Sequence, residues 1–414
     1  MKVKDVLFSA GTSGFFFDDQ LAIKQGAVHD GFDYVGTPKT PGFKRIRIAG
    51  ESVSVMLLLD NGLVGVGDCT AVQYSGTGGR DPLFLAERYL PFLQTELTDW
   101  LRGRDLSSFR KNAEALDAVV INGQKLHTAI RYGISQALLS ATAAARGLLM
   151  AEVICEEYGL PVVPKRVPVF GQSGDDRYNA ADKMILKAVD VLPHALINNV
   201  EEKLGFQGEK LQTYVEWLAA RIKKLRTNPA YRPDLHIDVY GTIGEIFKND
   251  TSKIVEYLKT LEKAAGEFAL YIEGPVDLGD RERQIEGLRA ITEKLNQSGC
   301  RVKIVADEWC NTYDDIRAFT DAKSCHMIQI KTPDLGGIHH VVESVLYCKQ
   351  HGIEAYQGGT CNETDVSTRT CVHVAIAAQA ERMLAKPGMG FDEGYCIVNN
   401  EMNRTIELLK RKGR

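Results

Sequence analysis

Four ionisable residues in the second half of the chain stand at positions that could do chemistry together. Asp238, Glu273, Asp307 and Lys331 occur in the runs LHIDVYG, FALYIEGP, RVKIVADEW and MIQIKTPD. They follow one another at gaps of 35, 34 and 24 residues. Each gap has room for one strand and one crossover helix, so the four belong to consecutive parallel strands. Side chains alternate along a strand. Asp238 therefore opposes Ile237 and Val239, Glu273 opposes Leu270 and Ile272, and Asp307 opposes Ile304 and Ala306. By the same alternation Gln329 and Lys331 share the face turned away from Ile328 and Ile330.

Neighbouring strands lie about 4.8 Å apart. Three carboxylates at the same end of adjacent strands would repel one another, and at least one would stay protonated unless a cation intervened. A hard dication such as Mg²⁺ takes oxygen ligands and keeps positions open for water or substrate. One acid alone reads as a solvated loop residue or a helix cap; three in series read as a metal site. Glu308 follows Asp307, but the alternation turns it to the other face and out of that set. Lys331 could serve only as the acids' counter-charge. The sharper reading is a general base, since a nearby metal cation favours the neutral amine. A lysine beside a Mg²⁺-bound carboxylate suits removal of a proton α to that carboxylate. His194, in DVLPHALINN, follows a weaker apolar run. A lone histidine is more often a packed residue. Its place after a strand nevertheless makes it a second candidate base, and two bases on opposite sides would serve either configuration at the acidic carbon.

These residues need a frame that gathers strand ends. From about residue 167 apolar runs alternate with amphipathic helices. The runs are 167–173, a weak one near 189–192, 235–241, 268–275, 301–309, 327–334, 354–360 and 383–388. The clearest helix is 208–226, with Leu211, Val215, Leu218, Ile222 and Leu225 at three- and four-residue steps. Eight strand–helix units predict a TIM-type (β/α)8-like barrel over residues 161–414, of the α/β class. The rival, a doubly wound open sheet, is expected to carry a Gly-rich phosphate turn after its first strand. Here that strand runs into GQSGDD. Residues 1–160 read differently. A hairpin over 52–59 and 63–67, turning at Asp60-Asn61-Gly62, precedes helices near 82–95, 107–119 and 126–146. Strands followed by helices predict an α+β capping domain. The segment SGTGG at 75–79 has no dinucleotide or Walker pattern around it and reads as a capping loop.

Bulk composition agrees with a globular protein of about two domains. The 414 residues are 44% hydrophobic and 25% charged, with a net charge of −4. With pI near 6.2 there is no basic footprint for nucleic acid. The start, MKVKDVLFSAGTSG, lacks the apolar stretch of a secretory signal. The most apolar run, 137–151, is interrupted by Arg146 and is too short for a membrane span. Nine cysteines without a CxxC pair predict reduced thiols, mostly small core residues, in a cytoplasmic protein. No HxxxH or HExxH spacing indicates zinc.

Asp238, Glu273 and Asp307, with HMIQIKTPDLGG and GGTCNET, resemble the methylaspartate ammonia-lyase (3-methylaspartase) family of the enolase superfamily. The resemblance runs nearly end to end, through GFFFDDQ, AVQYSGTGGRDPLFLA, QSGDDR, LPHALINNVEEKLG, HIDVYGTIG, VADEWCNT and LAKPGMG. It implies a carbon–nitrogen lyase that eliminates ammonia reversibly from (2S,3S)-3-methylaspartate to give mesaconate. The C3 proton is taken through a metal-stabilised enolate, or aci-carboxylate. It implies Mg²⁺ on Asp238, Glu273 and Asp307, with K⁺ as an activator. Lys331 is then the base for the natural substrate and His194 the base for its C3 epimer. Gln172, His194, Gln329, Thr360 and Cys361 become substrate contacts, with Gln329 a neutral donor. Gln73 closes over the amino end, and Leu384 lines the pocket for the 3-methyl group. A homodimer and a role in glutamate fermentation through mesaconate are implied as well. An acid or sugar dehydratase or a racemase of the same superfamily is the alternative chemistry, and a Schiff base at Lys331 a further one.

Overall fold

A computed structural model describes residues 1–121 and 123–411. The N-terminal domain is built on a three-stranded antiparallel sheet. Its central strand, Arg47–Leu59, pairs with Val3–Asp18 on one side and Val64–Cys69 on the other. Val53, Val55, Leu57 and Leu59 alternate along the central strand and are all buried. They form the apolar face that a half-solvated antiparallel sheet requires. That face is covered by the long helix Thr128–Arg146. Gly67 sits directly against Gly133 of this helix, where a Cβ on either would collide with backbone. Two glycines thus set how closely helix and sheet approach.

The hairpin is where the sequence places it. The 16-residue strand Val3–Asp18 is not foreseen, because its glycines and serines mask the alternation. The first predicted helix begins later, at Ala86–Phe92, and continues in short turns to Leu101. The second is Phe109–Asp117, and a further helix, Met150–Tyr158, leads towards the barrel.

The C-terminal part is a closed barrel of eight parallel strands. In chain order these are Val169–Phe170, Val191–Leu196, Asp234–Asp238, Leu270–Glu273, Lys303–Ala306, Met327–Ile330, Glu354–Gln357 and Arg382–Leu384. The eighth pairs with the first, which closes the ring and excludes the open sheet. The alternation read from sequence holds around it. Ile237, Ile272, Ile304, Ile328 and Ile330 face outward into the main core against the helices. Phe170, Val191, Tyr271, Val305, Met327, Tyr356 and Leu384 form a separate apolar cluster inside the ring. The helix predicted at 208–226 is Glu209–Leu225.

Among the described residues no single helix is long and apolar enough to cross a membrane. The nine cysteines are all free; seven are buried, Cys300 is half-buried and Cys396 exposed.

Candidate active site

Strand register brings the predicted residues to one end of the ring. Asp238 and Glu273 are paired neighbours on the third and fourth strands. Glu273 pairs with Val305, so Asp307 stands two residues nearer the mouth, just past the end of the fifth strand. Lys331 follows the end of the sixth. Ten of the eleven predicted site residues line a single cavity of about 70 Å³ at this mouth: Gln73, Gln172, His194, Asp238, Asp307, Gln329, Lys331, Thr360, Cys361 and Leu384. The eleventh, Glu273, lies fully buried beneath them.

Glu273 is held from several sides. Its Oε1 accepts from Gln329 Nε2 at 2.8 Å, and Tyr356 OH lies 2.9 Å from both carboxylate oxygens. His236 Nε2 contacts Oε2 at 2.7 Å. Burial, with the Arg382 charge added, keeps the His236 ring neutral. Arg382 Nη1 approaches His236 Nδ1 at 3.5 Å, which assigns Nε2 as the donor to Glu273. Burial and the neighbouring Asp238 and Asp307 push Glu273 well above the usual carboxylate range. Burial, Asp307 and Glu308 do the same to Asp238. Gln329, a neutral donor as the resemblance implies, directs its amide at Glu273 in the chain without a cation. Its buried Oε1 is left without a partner.

Lys331 Nζ lies 2.7 Å from Asp307 Oδ1. Burial works against its charge, but Asp307, Glu308 and Asp334 outweigh burial, and the ammonium is held above its ordinary range. The sequence-based expectation of a neutral amine thus does not describe the chain without a cation. Glu308 also departs from expectation. The fifth strand stops at Ala306, the alternation lapses there, and Glu308 lines the same cavity as Asp307.

His194 lies within the second strand rather than after it. Pro193 and Ala195 pair with consecutive residues of the third strand, so His194 is the extra residue of a bulge, with φ at 43°. Bulges re-aim side chains, and here the ring turns into the cavity. It packs edge-on against Phe170 at 5.1 Å, and neither ring nitrogen has a hydrogen-bond partner. Burial pushes its pKa down to about 4, which keeps it neutral. His194 Nε2 is 3.8 Å from Glu273 Oε2, and His194, Asp238 and Glu273 each offer a ligand atom within 4.8 Å of the others.

Gln73 is the reach of the N-terminal domain into the site. Its Nε2 donates to Asp18 Oδ2 at 2.7 Å, and Cys361 Sγ donates to its Oε1 at 3.4 Å. Asp18 is in turn clamped by Arg47 through two 2.7 Å bonds. Burial raises the Cys361 thiol to about 12, so it stays a thiol and not a nucleophilic thiolate. Gln172 Oε1 is buried and unpartnered at the cavity wall. Sequence reasoning missed Arg80, Tyr74, Tyr240 and Met389, which also line the cavity. A wider vestibule of about 660 Å³ outside shares Gln73, Tyr74, Leu196 and Met389 with it.

Asp238, Glu273 and Asp307 fit a hard dication. They are oxygen donors, and Asp238 and Glu273 are pushed up chiefly by burial and then by the charge of neighbouring carboxylates, which a cation would relieve. A parallel eight-stranded barrel with stacked acids, a lysine and a histidine at its mouth, covered by an N-terminal sheet domain, defines an enolase-superfamily enzyme. Two family models cover the chain: methylaspartate ammonia-lyase N-terminus over residues 1–159 and methylaspartate ammonia-lyase C-terminus over residues 161–411. The chain belongs to the methylaspartate ammonia-lyase family, and is an ammonia-lyase. It is 66% identical to methylaspartate ammonia-lyase of Citrobacter amalonaticus over 412 residues, all of both chains. The crystal structure of that enzyme containing (2S,3S)-3-methylaspartic acid superimposes with a TM-score of 0.98, covering 99% of this chain and 100% of the other. The Mg-complex of β-methylaspartase from Clostridium tetanomorphum, 54% identical, gives 0.96 with full coverage of both chains.

Proposed function

We propose that this chain eliminates ammonia reversibly from (2S,3S)-3-methylaspartate to give mesaconate, with Mg²⁺ held by Asp238, Glu273 and Asp307. The observation that carries the reading is the placement of two proton-transfer groups. Lys331 follows the sixth strand and His194 lies on the second, four places apart in a ring of eight. They face one cavity from opposite sides. A substrate carbon between them presents its hydrogen to one or the other according to configuration. The presence of (2S,3S)-3-methylaspartic acid and of magnesium in the two relatives' crystals supports the choice of substrate and ion.

When bound, the dication polarises the substrate carboxylate and steadies the charge that develops on it. The chain's own groups do the rest. Asp307 now favours the charged Lys331 ammonium; were Asp307 engaged by a cation, that support would weaken and Lys331 would become a usable base. Lys331 takes the C3 proton of the (2S,3S) substrate. The electron pair left at C3 forms the C2–C3 double bond, and the C2–N bond breaks with its electrons leaving on ammonia. His194, already neutral, takes the C3 proton of the (2S,3R) epimer. The unpartnered Oε1 atoms of Gln172 and Gln329 accept from the substrate ammonium. Gln73, Thr360 and Cys361 contact the substrate's polar ends, and Leu384 bounds the space for the 3-methyl group. Potassium as an activator, a homodimer and a cytoplasmic setting belong to the same proposal and rest on family membership.

The test incubates the chain with (2S,3S)-3-methylaspartate and Mg²⁺ and follows unsaturated product and ammonia together. Equal amounts of mesaconate and ammonia are expected, with activity lost on chelation and restored by Mg²⁺. Absence of both products overturns the lyase substrate. Activity that survives exhaustive chelation removes the metal.

A further inference from the structure

Directly behind the cavity lies a fully buried ion pair that the reaction does not use. Lys386 Nζ is 2.8 Å from Glu363 Oε1, and both side chains are completely shielded from solvent. All three ammonium hydrogens are placed: on Glu363, on Thr332 Oγ1 at 2.9 Å and on Cys371 Sγ at 3.5 Å. Glu363 is equally saturated. Its Oε1 also accepts from Thr332 Oγ1 at 2.6 Å, and its Oε2 from Tyr132 OH at 2.8 Å and Ser367 Oγ at 2.5 Å. Tyr132 belongs to the N-terminal domain helix, so the network also spans the seam between the two parts of the molecule.

A buried ion pair is a poor source of stability, because apolar groups of the same volume do as well or better. What this pair touches suggests another use. Thr332 is the residue after Lys331. Glu363 is two residues after Cys361, and Lys386 two after Leu384. The pair therefore ties together the ends of the sixth, seventh and eighth strands immediately behind three cavity residues. Glycine at 359 is part of the arrangement: its φ is 129°, and a Cβ there would strike Lys386 Nζ.

We infer that the Lys386–Glu363 pair and Thr332 form a positioning network that sets Lys331 against the substrate carbon. The network makes no contact with substrate. It fixes the backbone from which Lys331 projects, and a shift of about 1 Å in such a group costs on the order of 10²-fold in rate. His194 lies across the barrel on the second strand and is not attached to it. The inference rests on the proposed role of Lys331 as the base for the (2S,3S) substrate.

The decisive measurement is the ratio of kcat on the (2S,3S) substrate to kcat on the (2S,3R) epimer, because the fraction of folded enzyme cancels in that ratio. Thr332→Val removes only the hydroxyl tie. It is expected to lower kcat on the (2S,3S) substrate about tenfold with little change in KM, to lower the epimer's kcat much less, and to be rescued by Thr332→Ser. The double variant Lys386→Met/Glu363→Leu leaves no unpaired charge but removes the acceptor of the Tyr132, Ser367 and Thr332 hydroxyls; it is expected to lose some Tm and to shift the ratio in the same direction. An unchanged ratio in Thr332→Val overturns the inference, whatever the double variant does. If the unaltered chain forms no mesaconate, the underlying reading fails instead, so the two failures are distinct.

Discussion

Arg80 Nε donates to Asp334 Oδ2 at 2.8 Å, across the seam between the N-terminal domain and the barrel. The same guanidinium reaches Asn311 Oδ1 at 3.2 Å and lies 3.9 Å from Glu308 Oε2. Asn311 Nδ2 answers with a bond to Gly78 O at 3.1 Å. The glycine-rich loop that carries Gln73 and Tyr74 over the mouth is thus fastened to the loops after the fifth and sixth strands. Arg80 is almost wholly buried, and so is its partner Asp334.

Breaking that fastening should loosen the loop. Arg80→Ala leaves Asp334 buried without its cation, the costly way to lose an ion pair. Arg80→Lys keeps the charge but not the planar fork that serves Asp334 and Asn311 at once. Both variants are expected to raise KM, Arg80→Ala by about tenfold or more, and to expose residues 75–81 to limited proteolysis. Unchanged KM with an uncut loop in Arg80→Ala would show that the latch does not hold the cap.

Lys331→Ala and His194→Ala should have opposite preferences. Loss of a general base costs on the order of 10²–10⁴-fold. Lys331→Ala is expected to suffer that loss on (2S,3S)-3-methylaspartate and less on the (2S,3R) epimer, and His194→Ala the reverse. Parallel rate assays on the two diastereomers decide it. Equal losses on both would sink the assignment of one base to each face.

His340 gives a handle on the same seam through pH. Its Nε2 faces Asp117 Oδ2 at 3.4 Å and its Nδ1 faces Glu343 Oε2 at 3.5 Å. His339 and Tyr313 stack on its ring, while Arg131 pairs with Asp117 and Arg110 with Glu343. Burial alone would lower its pKa, but the two acids win and raise it to about 9. A histidine raised in the folded state stabilises it fully below the ordinary value of about 6.5. That stabilisation fades as pH climbs through about 9. The Tm should therefore fall between neutral pH and pH 10, and His340→Gln should flatten that fall. A variant with the same slope as the unaltered chain would place the alkaline sensitivity elsewhere.

How much of this was legible in the sequence depended on whether a residue sits inside a strand. Within the eight strands, alternation and repeat length were enough to send Asp238, Glu273 and Gln329 inward. Past the strand ends the rule lapses, which is why Glu308 was turned the wrong way. His194 was legible as a candidate but not as a bulge residue, since the extra residue shows only when the second strand is laid on the third. The hydrogen bonds from Tyr356, Gln329 and His236 to Glu273, the Arg80 latch and the Lys386–Glu363 pair were not legible. Each joins residues far apart in the chain, and no local spacing records them. Seven of the eleven site residues carried no chemistry-bearing pattern of their own: the family resemblance supplied roles for Gln73, Gln172, Thr360, Cys361 and Leu384, Gln329 was legible only by its face, and His194 only by its place.

The inner cavity of about 70 Å³ lies at the end of the barrel where the N-terminal domain reaches over it through Gln73 and Tyr74. It gives onto the wider vestibule outside, of about 660 Å³. The two spaces share one wall, Gln73, Tyr74, Leu196 and Met389, so a molecule moving from the vestibule to the inner cavity passes these four residues. Where passage along that wall is slower than proton transfer, deuterium at C3 will leave the overall turnover rate almost untouched, and the speed of the enzyme will be written in its cap.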